Sequence, residues 1–227
     1  MYTYVRMRHL INIGVGLVHS ATAYEQHPEN PKHRILVLGD SSGFGVGATT
    51  PNDSVAGRIG ALNPDTDITN ISVSGARLKD VSQQLKNPRI QHDVKYDRIF
   101  VHVGGNDIVH GTSFANMHVQ LQSIIEQIAP LSDDVILIHG GNVGIAPFFP
   151  RIAQPYFTWR SKQTRSLYLQ VVGSDTRFTV LNLHPEESVD PYAQEPKKYF
   201  AADSFHPSSQ GYRVWFEEID RIHKSRF

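Results

Sequence analysis

Five short apolar runs alternate with stretches of helical periodicity, and that alternation constrains the fold more than any other feature of this 227-residue chain. Ile35-Leu36-Val37-Leu38, ended by Gly39, carries no polar alternation, as in a parallel strand buried on both faces. Val55, Ile59 and Leu62 follow at helical spacing behind Asn52 and Asp53, whose side chains can cap a helix start. The spacing predicts further strands over Ile68 to Val73, Ile99 to Val103, Val135 to Ile138 and Phe178 to Leu183. Helices are expected from Leu78, Val81 and Leu85, from Phe114, Met117, Leu121, Ile124 and Ile128 behind Thr112 and Ser113, and from about Trp159 to Val172. Tyr212, Trp215, Ile219 and Ile222 mark a last one. Strands alternating with helices imply right-handed crossovers, so the expected architecture is α/β, a three-layer α/β/α sandwich around a five-stranded parallel sheet. Such sheets bind ligands at the carboxyl ends of their strands.

The length suits one domain, placed at 34–227, behind an N-terminal segment and linker over 1–33. Glu25 to His33, with Pro28 and Pro31, reads as the linker. Ahead of it, Arg6 and Arg8, the apolar run Leu10 to Val18 and the small residues Ala21-Thr22-Ala23 have the layout of a signal peptide. Asn12, Gly14 and Gly16 dilute that run and His19 ends it, which fits a helix lying on the domain equally well. A cytoplasmic or membrane-peripheral location is favoured, with a periplasmic or secreted one if residues 1–23 are a signal peptide. No uncharged apolar stretch approaches the roughly 20 residues of a membrane span. Lys+Arg 22 balance Asp+Glu 22 and no basic run stands out, which argues against a nucleic-acid partner. With Cys 0, any nucleophile must be an oxygen or a nitrogen. The 12 histidines are scattered without a His-Glu-x-x-His pattern, so no metal site is expected, and His102 and His139 read as packed or hydrogen-bonded.

Candidate chemistry gathers after the strands. Gly39-Asp40-Ser41-Ser42-Gly43-Phe44-Gly45-Val46-Gly47 can expose a hydroxyl and N–H groups at a strand end. It matches a dinucleotide fingerprint incompletely, and no Gly-Lys-Ser/Thr follows to make a phosphate loop of the Walker kind. Ser74-Gly75-Ala76 follows the second strand and Gly104-Gly105-Asn106-Asp107 the third. Each alone is also an ordinary turn, with Gly75 at positive φ, Asn106 in a local side-chain turn and Asp107 capping a helix. Falling directly after three consecutive strands, the three loops converge on one edge of the sheet. Far along the chain, Asp203-Ser204-Phe205-His206-Pro207 puts an Asp three residues ahead of a His. The carboxylate can hold Nδ1–H and leave Nε2 free as a base; otherwise Asp203 caps a turn and His206 is a surface residue.

Taken together, Gly39-Asp40-Ser41, Gly75, Gly104-Gly105-Asn106-Asp107 and Asp203-x-x-His206-Pro207 resemble, in order and placement, the four sequence blocks of the SGNH (GDSL-type) hydrolases. The resemblance runs from about Arg34 to the chain end, and Ser208-Ser209-Gln210-Gly211-Tyr212 continues the last block. It implies a flavodoxin-like fold, Ser41 as nucleophile, His206 as base oriented by Asp203, and an oxyanion hole made of Ser41 N–H, Gly75 N–H and the Asn106 side chain. No cofactor is called for. Ser42, where many members have Leu, and Ser72, where Gly or Ala is common, depart from the pattern without removing a reactive group.

The expected activity is hydrolysis of short to medium acyl or aryl esters through an acyl-enzyme, with lysophospholipids and thioesters within the family's range. The alternatives are a carbohydrate acetylesterase of the same fold and a non-catalytic nucleotide- or ligand-binding α/β module. Gly140 to Tyr156 is a long connection without periodicity that starts at the same sheet edge and carries Phe148 and Phe149. These rings either line an acyl pocket or cover the sheet end as a satellite core. The partner is a small-molecule ester, and the sequence leaves oligomeric state open.

Overall fold

The computed structural model describes residues 2–183 and 189–223; the ends of the expected 1–33 and 34–227 segments, and part of the polar loop ahead of the last helix, lie outside them. In chain order the elements are α1 (Tyr2–Ser20), β1 (His33–Gly39), α2 (Ser41–Phe44), α3 (Val55–Leu62), β2 (Thr66–Asn70), α4 (Leu78–Gln84), β3 (Arg98–His102), α5 (Gly105–Val109), α6 (Phe114–Ile128), β4 (Val135–Ile138), α7 (Gln154–Val172), β5 (Phe178–Val180), α8 (Pro191–Gln194), α9 (Pro196–Tyr199) and α10 (Ser209–His223). All neighbouring strands pair in parallel, in the order β2-β1-β3-β4-β5. The five-stranded parallel sheet of the sequence reading is therefore present. Its order is the doubly wound one in which the connections diverge on either side of β1 and β3, opening a crevice at their carboxyl ends.

Two cores flank the sheet because successive strand residues point to opposite faces. Leu36 and Leu38 join Leu78, Val81, Met117, Leu121, Ile124, Leu167 and Tyr168 on the α4/α6/α7 side. Ile35 and Val37 join Val55, Ile59, Tyr212, Trp215 and Ile219 on the α3/α10 side. This is why the strands read as uninterrupted apolar runs: both faces are covered.

Element ends differ from the sequence reading for local reasons. The second strand stops at Asn70, because Ser72 N–H turns to Asn70 Oδ1 at 3.1 Å, although Ile71 and Val73 still donate to Val37 O and Gly39 O. The helix expected from Trp159 starts at Gln154, with Pro155 in the first turn where a missing N–H costs nothing. That shortens the long connection, which also holds a single 3₁₀ turn, Val143–Ile145. Two short helices, α8 and α9, occupy the stretch read as a polar loop. In the stretch read as a linker, Gln26 pairs with the edge strand, its N–H donating to Ile68 O and its O accepting from Ile68 N–H. Residues 2–20 form a helix that packs on the domain: Leu10 is buried, and Arg6 Nη2 donates to Pro147 O at 2.6 Å. No helix among the described residues is long and apolar enough to cross a membrane.

The end of β1 is clamped. Gln84 Oε1 accepts from Gly39 N–H at 2.8 Å and Gln84 Nε2 donates to Gly39 O at 2.7 Å, both buried. Gln84→Leu leaves the Gly39 N–H without a partner in the interior, and we expect it to lower unfolding stability by about 2–3 kcal/mol. Urea denaturation of both proteins measures this, and a loss under about 0.5 kcal/mol would show that the clamp is incidental.

Candidate active site

Ser41 opens α2 directly behind Asp40, which caps the helix by accepting Ser42 N–H and the Ser42 hydroxyl, each at 2.8 Å. First-turn N–H groups have no intrahelical partner, and Ser41 N–H makes no hydrogen bond among the described residues. Gly39 brings the chain to this point at φ +125°, where a Cβ would lie 1.9 Å from His102 O, so only glycine fits. Ser41 Oγ lies 3.0 Å from His206 Nε2, although the two residues are 165 apart in sequence. On the far side of the ring, His206 Nδ1 is 2.5 Å from Asp203 Oδ2. A carboxylate only accepts, so Nδ1 carries the proton and Nε2 is left to accept from the Ser41 hydroxyl. The turn wraps the carboxylate further: Asp203 Oδ1 accepts the N–H groups of Phe205 and His206, each at 3.0 Å, with Ser204 in the left-handed region at φ 60°.

Asn106 lies in the first turn of α5, after β3. Its Nδ2 donates one hydrogen to Ala76 O at 3.0 Å, which leaves the second for a ligand. Asp107 Oδ2 accepts Leu78 N–H at 2.9 Å, so this residue caps a helix, though it is α4 and not its own. These two bonds tie the loops after β2 and β3 together. Buried Arg160 of α7 braces the same segment from below, donating to Ile108 O at 3.1 Å and Thr112 O at 2.6 Å. Gly75 has φ +83°, open space where a Cβ would sit, and an N–H with no partner among the described residues.

Two buried carboxylates at the site are shifted in opposite directions. Burial pushes Asp203 up, but the hydrogen bond and charge of His206 and the two backbone N–H groups outweigh it, so the carboxyl stays below its usual range. Asp40 is pushed up to about 6 by burial, against the lowering effect of the Ser42 hydrogen bonds and of His206. Burial lowers His102 to about 3, which keeps it neutral beside the Ser42 hydroxyl, 3.4 Å away. Ser42 thus replaces an apolar neighbour with a polar link from Asp40 to His102.

Two cavities open at this triad and share Asn106, Phe205 and His206. The first, of about 80 Å³, reaches Ser41 and runs between Val143, Ile145, Leu183, Tyr192, Phe200 and Trp215. The second, of about 170 Å³, lies between the triad and α1, lined by Leu10, Ile11, Gly14, Val109, Phe148 and Asp203. Sequence reasoning missed Leu183, Tyr192, Phe200 and Trp215 on one wall and Leu10 and Ile11 on the other, because these residues carry no motif. The two rings it singled out part company. Phe148 borders the second cavity, whereas Phe149 is on neither wall. Phe149 is buried with Ile108, Val143 and Ala146 and stacks on Phe157 at 4.1 Å between centroids, so the loop's aromatic residues close mainly on one another as a satellite core. His139 is buried against Tyr168. No group of three metal-ligating side chains occurs among the described residues.

The sequence model of the GDSL-like lipase/acylhydrolase family matches residues 37–214. No curated protein matches the chain by sequence. Among solved structures, a member of the lipolytic G-D-S-L family from Veillonella parvula superposes with a TM-score of 0.67 at 16% identity, over 85% of this chain and 98% of that one. The lipase Lip_vut3 from a goat rumen metagenome gives 0.68 at 18%, over 86% and 99%. The acetylxylan esterase Axe2 from Geobacillus stearothermophilus gives 0.59 at 17%, over 85% and 94%. At these identities the superpositions speak for the fold.

The raised Asp40 carboxyl sets a pH dependence of stability. In the unfolded chain an Asp titrates near 3.9, so between about pH 4 and pH 6 the folded protein keeps a proton that the unfolded chain has released. Folding is then favoured by low pH, and this contribution is lost as pH rises through that window, by up to about 3 kcal/mol. Asp40→Asn keeps an acceptor for Ser42 N–H without the charge. It is expected to raise Tm relative to wild type at pH 8 and to leave Tm unchanged near pH 4; an equal difference at both pH values would refute this.

Proposed function

Because this chain belongs to the GDSL-like lipase/acylhydrolase family and so is a hydrolase of ester bonds, we propose that it is a serine carboxylesterase working through an acyl-enzyme. The reading rests on one observation, the unbroken hydrogen-bond chain from Ser41 Oγ through His206 to Asp203. Ser41 Oγ attacks the acyl carbon as His206 Nε2 takes the hydroxyl proton. On this reading the oxygen that gains the negative charge is stabilised by three donors, Ser41 N–H, Gly75 N–H and the free Asn106 Nδ2–H. The bond to the alcohol oxygen then breaks, and that oxygen receives the proton from His206. Water repeats the sequence: His206 removes its proton, the hydroxide portion adds to the acyl carbon, and the ester bond to Ser41 breaks. The free acid leaves and Ser41 regains its proton. Asp203, ionised because its partners outweigh its burial, stabilises the imidazolium in both halves.

The acyl group fits the first cavity, where Ser41 lies and the walls are mostly apolar. It is the smaller of the two cavities, about 80 Å³ against about 170 Å³, which favours short acyl chains. The same space also accepts the acetyl group of an acetylated sugar, so an acetylated xylooligosaccharide belongs in the substrate panel beside simple alkyl and aryl esters.

Ser41→Ala is expected to abolish ester hydrolysis and labelling by a fluorophosphonate probe while the protein stays folded. Turnover at the wild-type rate would dismiss Ser41 as nucleophile. Asn106→Ala should lower kcat by about 10²–10³ with a smaller change in KM, since it removes a donor engaged mainly in the transition state. A change confined to KM would make Asn106 a binding residue only.

A further inference from the structure

The proposed mechanism leaves the second cavity without a role, although it reaches both Asn106 and His206. One whole wall of it is α1, an element outside residues 37–214 that match the family. The helix is seated closely. Leu10 is buried, Arg6 is bonded to Pro147 O, and a Cβ on Gly14 would lie 3.2 Å from Asp203 Oδ2, so the missing side chain at position 14 lets the helix approach the triad carboxylate. Facing it across the cavity are Val109, Phe148 and Phe205.

The two cavities divide the substrate by chemistry. The acyl carbon must reach Ser41 Oγ, and Ser41 lines only the first cavity. The leaving oxygen must lie within hydrogen-bond reach of His206 Nε2, and His206 lines both. An ester bound at Asn106 with its acyl chain in the first cavity therefore directs its alcohol portion along His206 into the second. We propose that the α1 cavity is the alcohol subsite, and that Ile11, with Leu10 and Phe148, makes this esterase select apolar alkyl or aryl alcohols. This inference rests on the serine-esterase reading and deepens it. Ile11 is the wall residue best suited to a test, because it is 48% exposed and contributes little to the core.

The test varies one half of the ester at a time in the full chain. Acetates of methanol, ethanol and butanol share nearly the same leaving-group chemistry, so their kcat/KM ratios report binding on the alcohol side. Ethyl acetate and ethyl butyrate report the acyl side. For wild type, kcat/KM is expected to rise by up to about fourfold for each methylene added to the alcohol. Ile11→Ala should flatten that rise, lowering the butyl-to-methyl ratio about three- to tenfold, while the butyrate-to-acetate ratio stays within about twofold. Ile11→Trp, which narrows the cavity, should selectively suppress benzyl acetate. An unchanged rate of fluorophosphonate labelling shows that the triad is intact in both variants. Parallel alcohol profiles in all three proteins, or a change in the acyl series alone, would overturn the alcohol subsite while leaving the esterase standing. No hydrolysis of any ester by wild type would overturn the esterase reading and the subsite with it.

Discussion

How β1 ends decides where everything else at this site can stand. Gly39 takes a backbone conformation that no side chain would allow beside the His102 carbonyl, and Asp40 N–H donates to that same carbonyl at 2.7 Å. The chain is thus turned out of the sheet at the seam between β1 and β3, where the doubly wound order opens its crevice. The turn is held on every side: by the Gln84 amide, by Val73 N–H on Gly39 O, and by Tyr212, whose hydroxyl donates to Val46 O at 2.8 Å from the opposite layer. On the neighbouring strand Tyr168 does the same for Val103 O at 2.7 Å. Two buried tyrosines from opposite helical layers therefore fix the two loops that carry Ser41 and Asn106. A hydroxyl fixed to the sheet in this way loses little further entropy when a substrate arrives, which is what preorganisation requires.

The site also shows how one residue type is put to two uses by its partners. Asp40 and Asp203 are both buried carboxylates within reach of His206. Asp203 receives a ring N–H and two backbone N–H groups and keeps its charge. Asp40 receives only Ser42, and desolvation wins. The balance of burial against the hydrogen bonds received and the nearby His206 sets the direction of the shift in each case. The carboxylate held below its usual range is accordingly on the side of the His206 ring away from Ser41, and the carboxyl beside Ser41 is the one pushed up by burial.

Much of this was legible in the sequence, and what was not has a common cause. Short continuous apolar runs gave the strands away because a parallel sheet covered on both faces admits no polar alternation. Ser41, Asn106, Asp203 and His206 stood out because glycines, a strand end or a fixed spacing marked each of them, and the structure brings Ser41, Asp203 and His206 into one hydrogen-bonded chain with Asn106 on the same cavity wall. Element ends were less legible, since Ser72 N–H and the Pro155 ring act through one local contact each. Least legible were the cavity walls. Leu183, Tyr192, Phe200 and Trp215 meet Ser41 only through the tertiary fold, and the aromatic rings nearest in the chain to the sheet edge pack among themselves. Periodicity reports which face of an element is buried; it does not report what that face is buried against.

That distinction bears on where specificity can arise in a fold of this kind. The strand-end loops are interlocked: Asn106 is bonded to Ala76 O, Asp107 to Leu78 N–H and Arg160 to the carbonyls behind them, so a change in one moves its neighbours. Elements added outside the βαβ repeat carry no such obligation. α1 approaches the site through a glycine and a buried leucine and is tied down by one arginine hydrogen bond, and Tyr192 of α8 and Phe200, just after α9, contribute single rings to the other cavity. Substitutions there change the shape of a wall without disturbing the hydrogen bonds that interlock the strand-end loops. On the serine-esterase reading, a fold whose strand-end loops are mutually constrained leaves substrate choice to its periphery, and in this chain peripheral elements border His206 from two cavities.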